Sequence, residues 1–182
     1  MGYIATQMQA PPGAQIVGAA LADWTNNLES HFTAPVFEKY GLSADDIRAD
    51  EWYDGAILDA MWREMYAMPG AMQMMVAIGK AAAPQYIGAL RATDIKGFLE
   101  HIDEFFSMFI RNAPDEYGFH VTWVDDNRAH VWNNTNAPND HLFGLLWEMA
   151  RQLRTGSHFV VRPIADYDTG STKGATFEVE WE

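Results

Sequence analysis

The chain has 182 residues, a formal net charge of −13 and no cysteine. That length suits one ordinary domain that buries a full core without covalent staples, and the missing cysteine excludes disulfide frameworks, thiolate metal sites and cysteine nucleophiles. The negative charge repels phosphate backbones and anionic lipid, so neither nucleic acid nor a membrane surface is an expected partner. Hydrophobic residues make up 48% of the chain, a globular composition. No run approaches the roughly 20 apolar residues of a membrane span. Met1 to Gly13 lacks the basic start and apolar centre of a signal peptide, and the expected location is cytoplasmic.

Residues 1–13 read as a loose arm and residues 14–182 as one domain. From Ala14, the residues Ile16, Val17, Ala20, Leu21, Trp24 and Leu28 recur at helical spacing and predict a first helix that fades near Ser30-His31. Pro35 suits the first turn of a short helix, and Gly41 is a natural stop. Asp45, Asp46 and Asp50 fall in a polar connector. Asp54 is a plausible N-cap for a helix with an apolar stripe of Ile57, Leu58, Met61, Trp62, Met65 and Tyr66. Pro69-Gly70 ends it. A buried helix is expected over Ala71 to Ala83, closed or interrupted by Pro84, with a brief helical piece over Gln85 to Leu90. Thr93 is the expected cap of a long helix from Asp94 to about Asn112, whose apolar face is Phe98, Leu99, Ile102, Phe105, Phe106 and Phe109.

The period then changes from 3.6 to 2. Phe119 to Asp125 and Arg128 to Asn133 predict a hairpin about Asp126-Asn127, pairing Asp125 with Arg128, Trp123 with His130 and Val121 with Trp132. After the loop Asn134 to Pro138, Asn139 or Asp140 caps an amphipathic helix carrying Leu142, Leu145, Leu146, Met149 and Leu153, and Gly156 follows it. Phe159 to Ile164 and Ala175 to Trp181 are the last strands, joined by the turn-rich stretch Asp166 to Gly174. The expected class is α+β, an N-terminal helical part followed by an antiparallel sheet with an inserted helix.

The chemistry-bearing residues form no enzyme signature. His31, His101, His120, His130, His141 and His158 are scattered, with no metal-ligand spacing. There is no G-x-S-x-G elbow, and the glycines of Asp168 to Gly174 lie between strands, not before a helix. Asp45-Asp46, Asp103-Glu104 and Asp125-Asp126 are sequence neighbours; on helices such neighbours point apart. The expectation is a protein that is not an enzyme. His101 lies about 90° from the centre of its helix's apolar face by the 100° per residue rule. It reads either as a boundary histidine bonded to a neighbour or as a pocket-edge ligand for heme iron. Met61, Met65, Met68, Met72, Met74 and Met75 straddle Pro69-Gly70, either as two packed helices or as the adaptable wall of an apolar pocket.

The order of these elements, with Ile16-Val17-Gly18, Phe37-Glu38-Lys39-Tyr40-Gly41-Leu42, Trp52-Tyr53, Ile78-Gly79-Lys80, Gly97-Phe98-Leu99, Phe143-Gly144-Leu145-Leu146 and Phe177-Glu178-Val179-Glu180-Trp181, resembles the superfamily of heme NO-binding (H-NOX) and 4-vinyl reductase domains. The resemblance spans the chain from Gln15. It implies a cavity between the helical and C-terminal parts that takes a hydrophobic or tetrapyrrole ligand and signals its presence. In heme NO-binding domains the iron-binding histidine lies on the long helix; at that position this sequence has Phe106. The propionate-gripping Tyr-x-Ser-x-Arg motif has no match, nor has the cysteine cluster of 4-vinyl reductase domains. The resemblance therefore implies a sensor for a hydrophobic small molecule without heme ligated in the family's usual way. Its expected lining is Met61, Met65, Met75, Phe98, Ile102, Phe105 and Phe106, with His101 as polar anchor. The alternatives are a heme-binding gas sensor with His101 as axial ligand, and a protein-interaction or dimerisation scaffold. A homodimer or a fused or partner signalling effector is the expected destination of the signal.

Overall fold

Helices dominate the chain up to Ser107, and a four-stranded antiparallel sheet closes it. The computed structural model describes residues 9–26, 30–165 and 173–182. The start of the arm, Leu28 and most of the expected turn-rich loop (166–172) lie outside the described residues.

The class is α+β, as expected, but the first element is not a helix. Gln15–Val17 is a strand, β1, followed by α1 (Gly18–Asn26) and α2 (Ser30–Lys39). β1 pairs antiparallel with β2 (Trp52–Asp54) on one side and with β3 (Ile110–Arg111) on the other. Adjacent apolar residues such as Ile16-Val17 satisfy a helical stripe and a short strand equally well, and here the pairing decides. A second helix starts at Ser30, where the first was expected to fade, and Pro35 lies inside it. Gly41 ends it as expected, at φ +70°.

α3 (Ala56–Tyr66) carries the predicted stripe, with Ile57, Leu58, Met61, Trp62 and Met65 buried. Its N-cap is Gly55, not the expected Asp54, whose carboxylate sits one residue earlier and accepts the Ala56 N–H at 2.9 Å. α4 runs unbroken from Ala71 to Leu90 with Pro84 inside it, contrary to the predicted break. Proline forgoes one backbone bond, but Ala83 is fully buried and Tyr86, Ile87 and Leu90 pack on the C-terminal core, so tertiary contacts carry the helix through. Arg91, at φ +53°, terminates it.

α5 (Ile95–Ser107) is capped by Asp94, not Thr93; the Asp94 carboxylate accepts the Gly97 N–H at 2.7 Å. The helix stops before Phe109 because Ile110 and Arg111 leave it to pair with β1. β4 (Gly118–Asp125) and β5 (Arg128–Asn134) form the predicted hairpin, but only the Asp125–Arg128 pair is as expected. An extra residue, Val124, bulges out, so Trp123 faces Ala129, Thr122 faces His130 and His120 faces Trp132. α6 (Asn139–Leu153) follows, then β6 (Phe159–Ala165) and β7 (Lys173–Trp181), giving the sheet order β4-β5-β7-β6.

Two cores result. In one, α5 and α6 pack on the sheet through Phe98, Leu99, Ile102, Leu142, Leu145, Val131, Phe177 and Val179. The other joins β1, α1, α2 and α3 through Leu21, Phe37, Met61, Trp62 and Met65, with Met75 of α4. α4 lies along both, held to α6 where Gly79 and Gly144 let the backbones meet: a Cβ at either would overlap a backbone carbonyl, of His141 or Val76 respectively.

Candidate functional site

A cavity of about 350 Å³ lies at the seam of the two cores. Ligand pockets run from about 300 to 1,000 Å³, so it holds only a small molecule. Ile16 of β1 and Ile110 of β3, paired across the small sheet, line it together with Ala20, Leu58 and Trp62. α4 contributes Met74, Ile78, Ala82 and Tyr86, and its exposed residues Ala77, Ala81 and Gln85 bring the cavity to solvent along that helix. The end of α5 supplies Phe105, Phe106 and Phe109, and the C-terminal part adds Phe119, Asn136, Ala137 and His141.

Of the lining residues expected from the sequence, the cavity gathers Phe105 and Phe106. Met61, Met65 and Met75 face the helical core instead, and Met74, one position away, lines the cavity. Phe98 and Ile102 are buried in the sheet core. His101 is displaced furthest from its expected role: its side chain is 49% exposed, with Nδ1 3.0 Å from Glu104 Oε1. It therefore stands on the solvent side of α5, bonded to a neighbour, and does not reach the cavity edge. His130 faces Thr122, not Trp123, and its Nε2 lies 3.4 Å from Glu178 Oε2. Among the described residues no three His, Asp or Glu side chains converge as a metal site.

Phe106 is wedged beside Tyr117 and Phe119, with ring centroids 5.7 and 5.0 Å away. Phe105 packs against Tyr86 with ring centroids 3.8 Å apart and the planes tilted by 43°. Burial pushes the Tyr86 phenol above its ordinary range, so it remains a protonated hydroxyl.

Sequence reasoning missed a buried polar chain that backs the cavity. Asp59 of α3 accepts the Ala10 N–H at 2.7 Å and the Asn136 side-chain N–H at 2.8 Å. Asn136 in turn accepts the Tyr117 hydroxyl at 2.6 Å, and its own backbone N–H donates to that oxygen at 2.9 Å. Burial raises the Asp59 carboxyl pKa, against the lowering effect of these N–H donors. Asn133 stiffens the same loop: its amide oxygen accepts from the Thr135 N–H and hydroxyl, and its amide nitrogen donates to Ala137 and Asn139. The one sequence signal was Asp59 itself, a carboxylate flanked by the apolar stripe of α3. His141, buried at the start of α6, has its pKa lowered to about 4 by desolvation and is therefore a neutral imidazole at pH 7.

No protein-family model matches the sequence, and no curated protein matches it. Solved structures do. A mutant of the T. tengcongensis H-NOX aligns with a TM-score of 0.63 at 10% identity, covering 90% of this chain and 95% of that one. An oxygen-binding H-NOX domain related to soluble guanylate cyclases, solved as its oxygen complex, aligns at 0.62 and 11%, covering 91% and 94%. A third, from work on modulating heme redox potential through porphyrin distortion, gives 0.62 and 12%, covering 91% and 100%. The chain has an H-NOX-like fold. Within it, α5 carries Phe105 and Phe106 on the cavity side and His101 on the solvent side. The H-NOX-like core holds the cavity between its helical and sheet parts, as the resemblance implied, but with a largely different lining. No helix among the described residues is long and apolar enough to cross a membrane.

Proposed function

We propose that this H-NOX-like domain is a sensor, not an enzyme, that binds a small hydrophobic molecule in the cavity between its two cores. The observation that carries this reading is the composition of the wall. Ile16, Leu58 and Trp62 come from the helical core, Phe106 and Phe119 from the other, and α4 spans both. A ligand touching both halves favours whichever arrangement gives it more contact, and that differential affinity is what a sensor transmits. The recipient is a second copy or a fused or partner effector.

Several fold neighbours are heme proteins by description, so heme is the obvious candidate ligand. The residues here do not fit it. Heme needs an axial ligand and counter-charges for two carboxylates. His141 is the one histidine among the described lining residues, and none of them is Lys or Arg. A buried acidic side chain, Asp59, stands one hydrogen bond behind Asn136. The sequence resemblance puts Phe106 where the iron ligand is expected, and His101 is on the solvent side of α5.

A scaffold role has less support. Trp123 and Trp132 are both partly exposed, at 38% and 39%, but they do not form one patch. Trp123 faces Ala129 on the core side of the sheet, whereas Trp132 faces His120 on the other.

Native mass spectrometry of the purified chain tests the proposal, since it reports bound ligand and oligomeric state together. The expected result is a small adduct lost on mild activation. Titration with hemin should give no Soret band that depends on His101 or His141; a band abolished by either alanine substitution would replace this reading with a heme sensor.

A further inference from the structure

Tyr86 sits on the cavity wall with its ring against Phe105, at 3.8 Å between centroids. It carries the one hydroxyl among the described lining residues. That hydroxyl makes no hydrogen bond to any described residue. Tyr86 is half-buried; once a ligand covers it, a donor left without a partner costs about 1–3 kcal/mol, and a wall that is otherwise mostly apolar offers it little. Asn136 is differently placed, because its amide is already bonded at both ends, to Tyr117 and Asp59. Charge is the second constraint. Neither Lys nor Arg stands among the described lining residues, and a carboxylate taken out of water without a cation is strongly disfavoured.

We infer that the cavity takes a neutral, mainly apolar molecule bearing one hydrogen-bond acceptor, that the Tyr86 hydroxyl donates to that acceptor, and that anions of the same shape are turned away. The inference rests on the sensor reading above and makes it narrower. It identifies the ligand as a ketone, ether or ester carried on a hydrocarbon frame, and it separates this cavity from one built for fatty acids or tetrapyrrole carboxylates. Tyr86 remains protonated across the neutral range, because burial raises its pKa, so the donor does not depend on pH there. Exposed Gln85, one residue away on α4, marks the side from which the molecule enters.

Three probes of one shape test this: 2-acetylnaphthalene, 2-ethylnaphthalene and 2-naphthoate, titrated into the full chain by calorimetry and by ligand-observed NMR. The ketone should bind more tightly than the hydrocarbon by about two- to tenfold, the worth of one hydrogen bond, and the naphthoate should not bind. Tyr86→Phe should erase the ketone's advantage and leave the hydrocarbon's affinity unchanged. Circular dichroism of the same variant confirms its fold. If the ketone keeps its advantage in Tyr86→Phe, or if naphthoate binds as well as the ketone, the inference is wrong while the sensor reading stands. If none of the three enters the folded wild-type protein, the sensor reading itself fails.

Discussion

The two cores are made of different materials. The C-terminal core sets Phe98, Leu99, Ile102, Leu142, Val131 and Val179 against an antiparallel sheet, and its buried polar side chains, Asn133, Asn139 and Asp140 among them, gather at the entry to α6. The helical core leans on Met61, Met65 and Met75 beside Trp62 and Phe37, and it buries the carboxylate of Asp59. Branched and aromatic side chains interlock in few rotamers, whereas methionine adapts to irregular space. The cavity lies where the adaptable core abuts the interlocked one. On the sensor reading proposed above, one half would serve as a frame and the other as the part that yields when a ligand arrives.

The largest expected effect breaks the frame. Phe98→Ala should cost about 3–5 kcal/mol, since its ring is fully buried and its removal leaves a cavity in the core. In the helical core, Met65→Leu conserves volume and should cost less than about 1.5 kcal/mol. Urea unfolding followed by circular dichroism measures both. Comparable losses in the two variants would mean that the helical core is as rigidly specified as the sheet core.

The next effect belongs to the seam. His141 titrates near 6.5 when unfolded and at about 4 in the fold, where desolvation favours the neutral ring. Between those values the unfolded chain binds more protons than the native one, so stability falls as pH is lowered. The loss from this residue is of the order of 3 kcal/mol once pH reaches the folded value. His141→Gln should flatten the dependence of melting temperature on pH between 6.5 and 4, leaving only the carboxylate transition at lower pH. An unchanged slope in that window would place its source elsewhere.

The frame was more legible than the site. The stripes of α3 and α5 could be read because eleven- and thirteen-residue helices repeat their period several times. β1, β2 and β3 could not, since strands of two or three residues contain no period, and what pairs Ile16 with Ile110 is distant chain. One bulged residue, Val124, shifted the register, so that Ala129 and Val131, not His130 and Trp132, sit opposite Trp123 and Val121. Phe105 and Phe106 were identifiable as wall residues from the resemblance alone. Met74 and Met75 differ by 100° about α4, too little for a methionine-rich run to say which faces the cavity. Asp59, Asn136 and Tyr117 meet across separations of up to 77 residues and leave no local pattern.

The smallest effect tests how the yielding half is attached. α4 forms one wall of the cavity, and it is fixed to the frame where Gly144 meets the Val76 carbonyl and Gly79 the His141 carbonyl. Gly144→Ala must push α4 outward, because the atom it meets is backbone and cannot swing aside. Overpacking of this kind costs about 1–3 kcal/mol. Gly88 lies on the same helix with nothing near its missing Cβ. Gly88→Ala should therefore stabilise the chain by about 0.5–1 kcal/mol, the usual gain in a helix interior. Opposite signs in thermal melts of the two variants would locate the attachment at the crossing. If both alanines stabilise, α4 is free to shift against α6, and the boundary between frame and yielding part must be redrawn to include that whole helix.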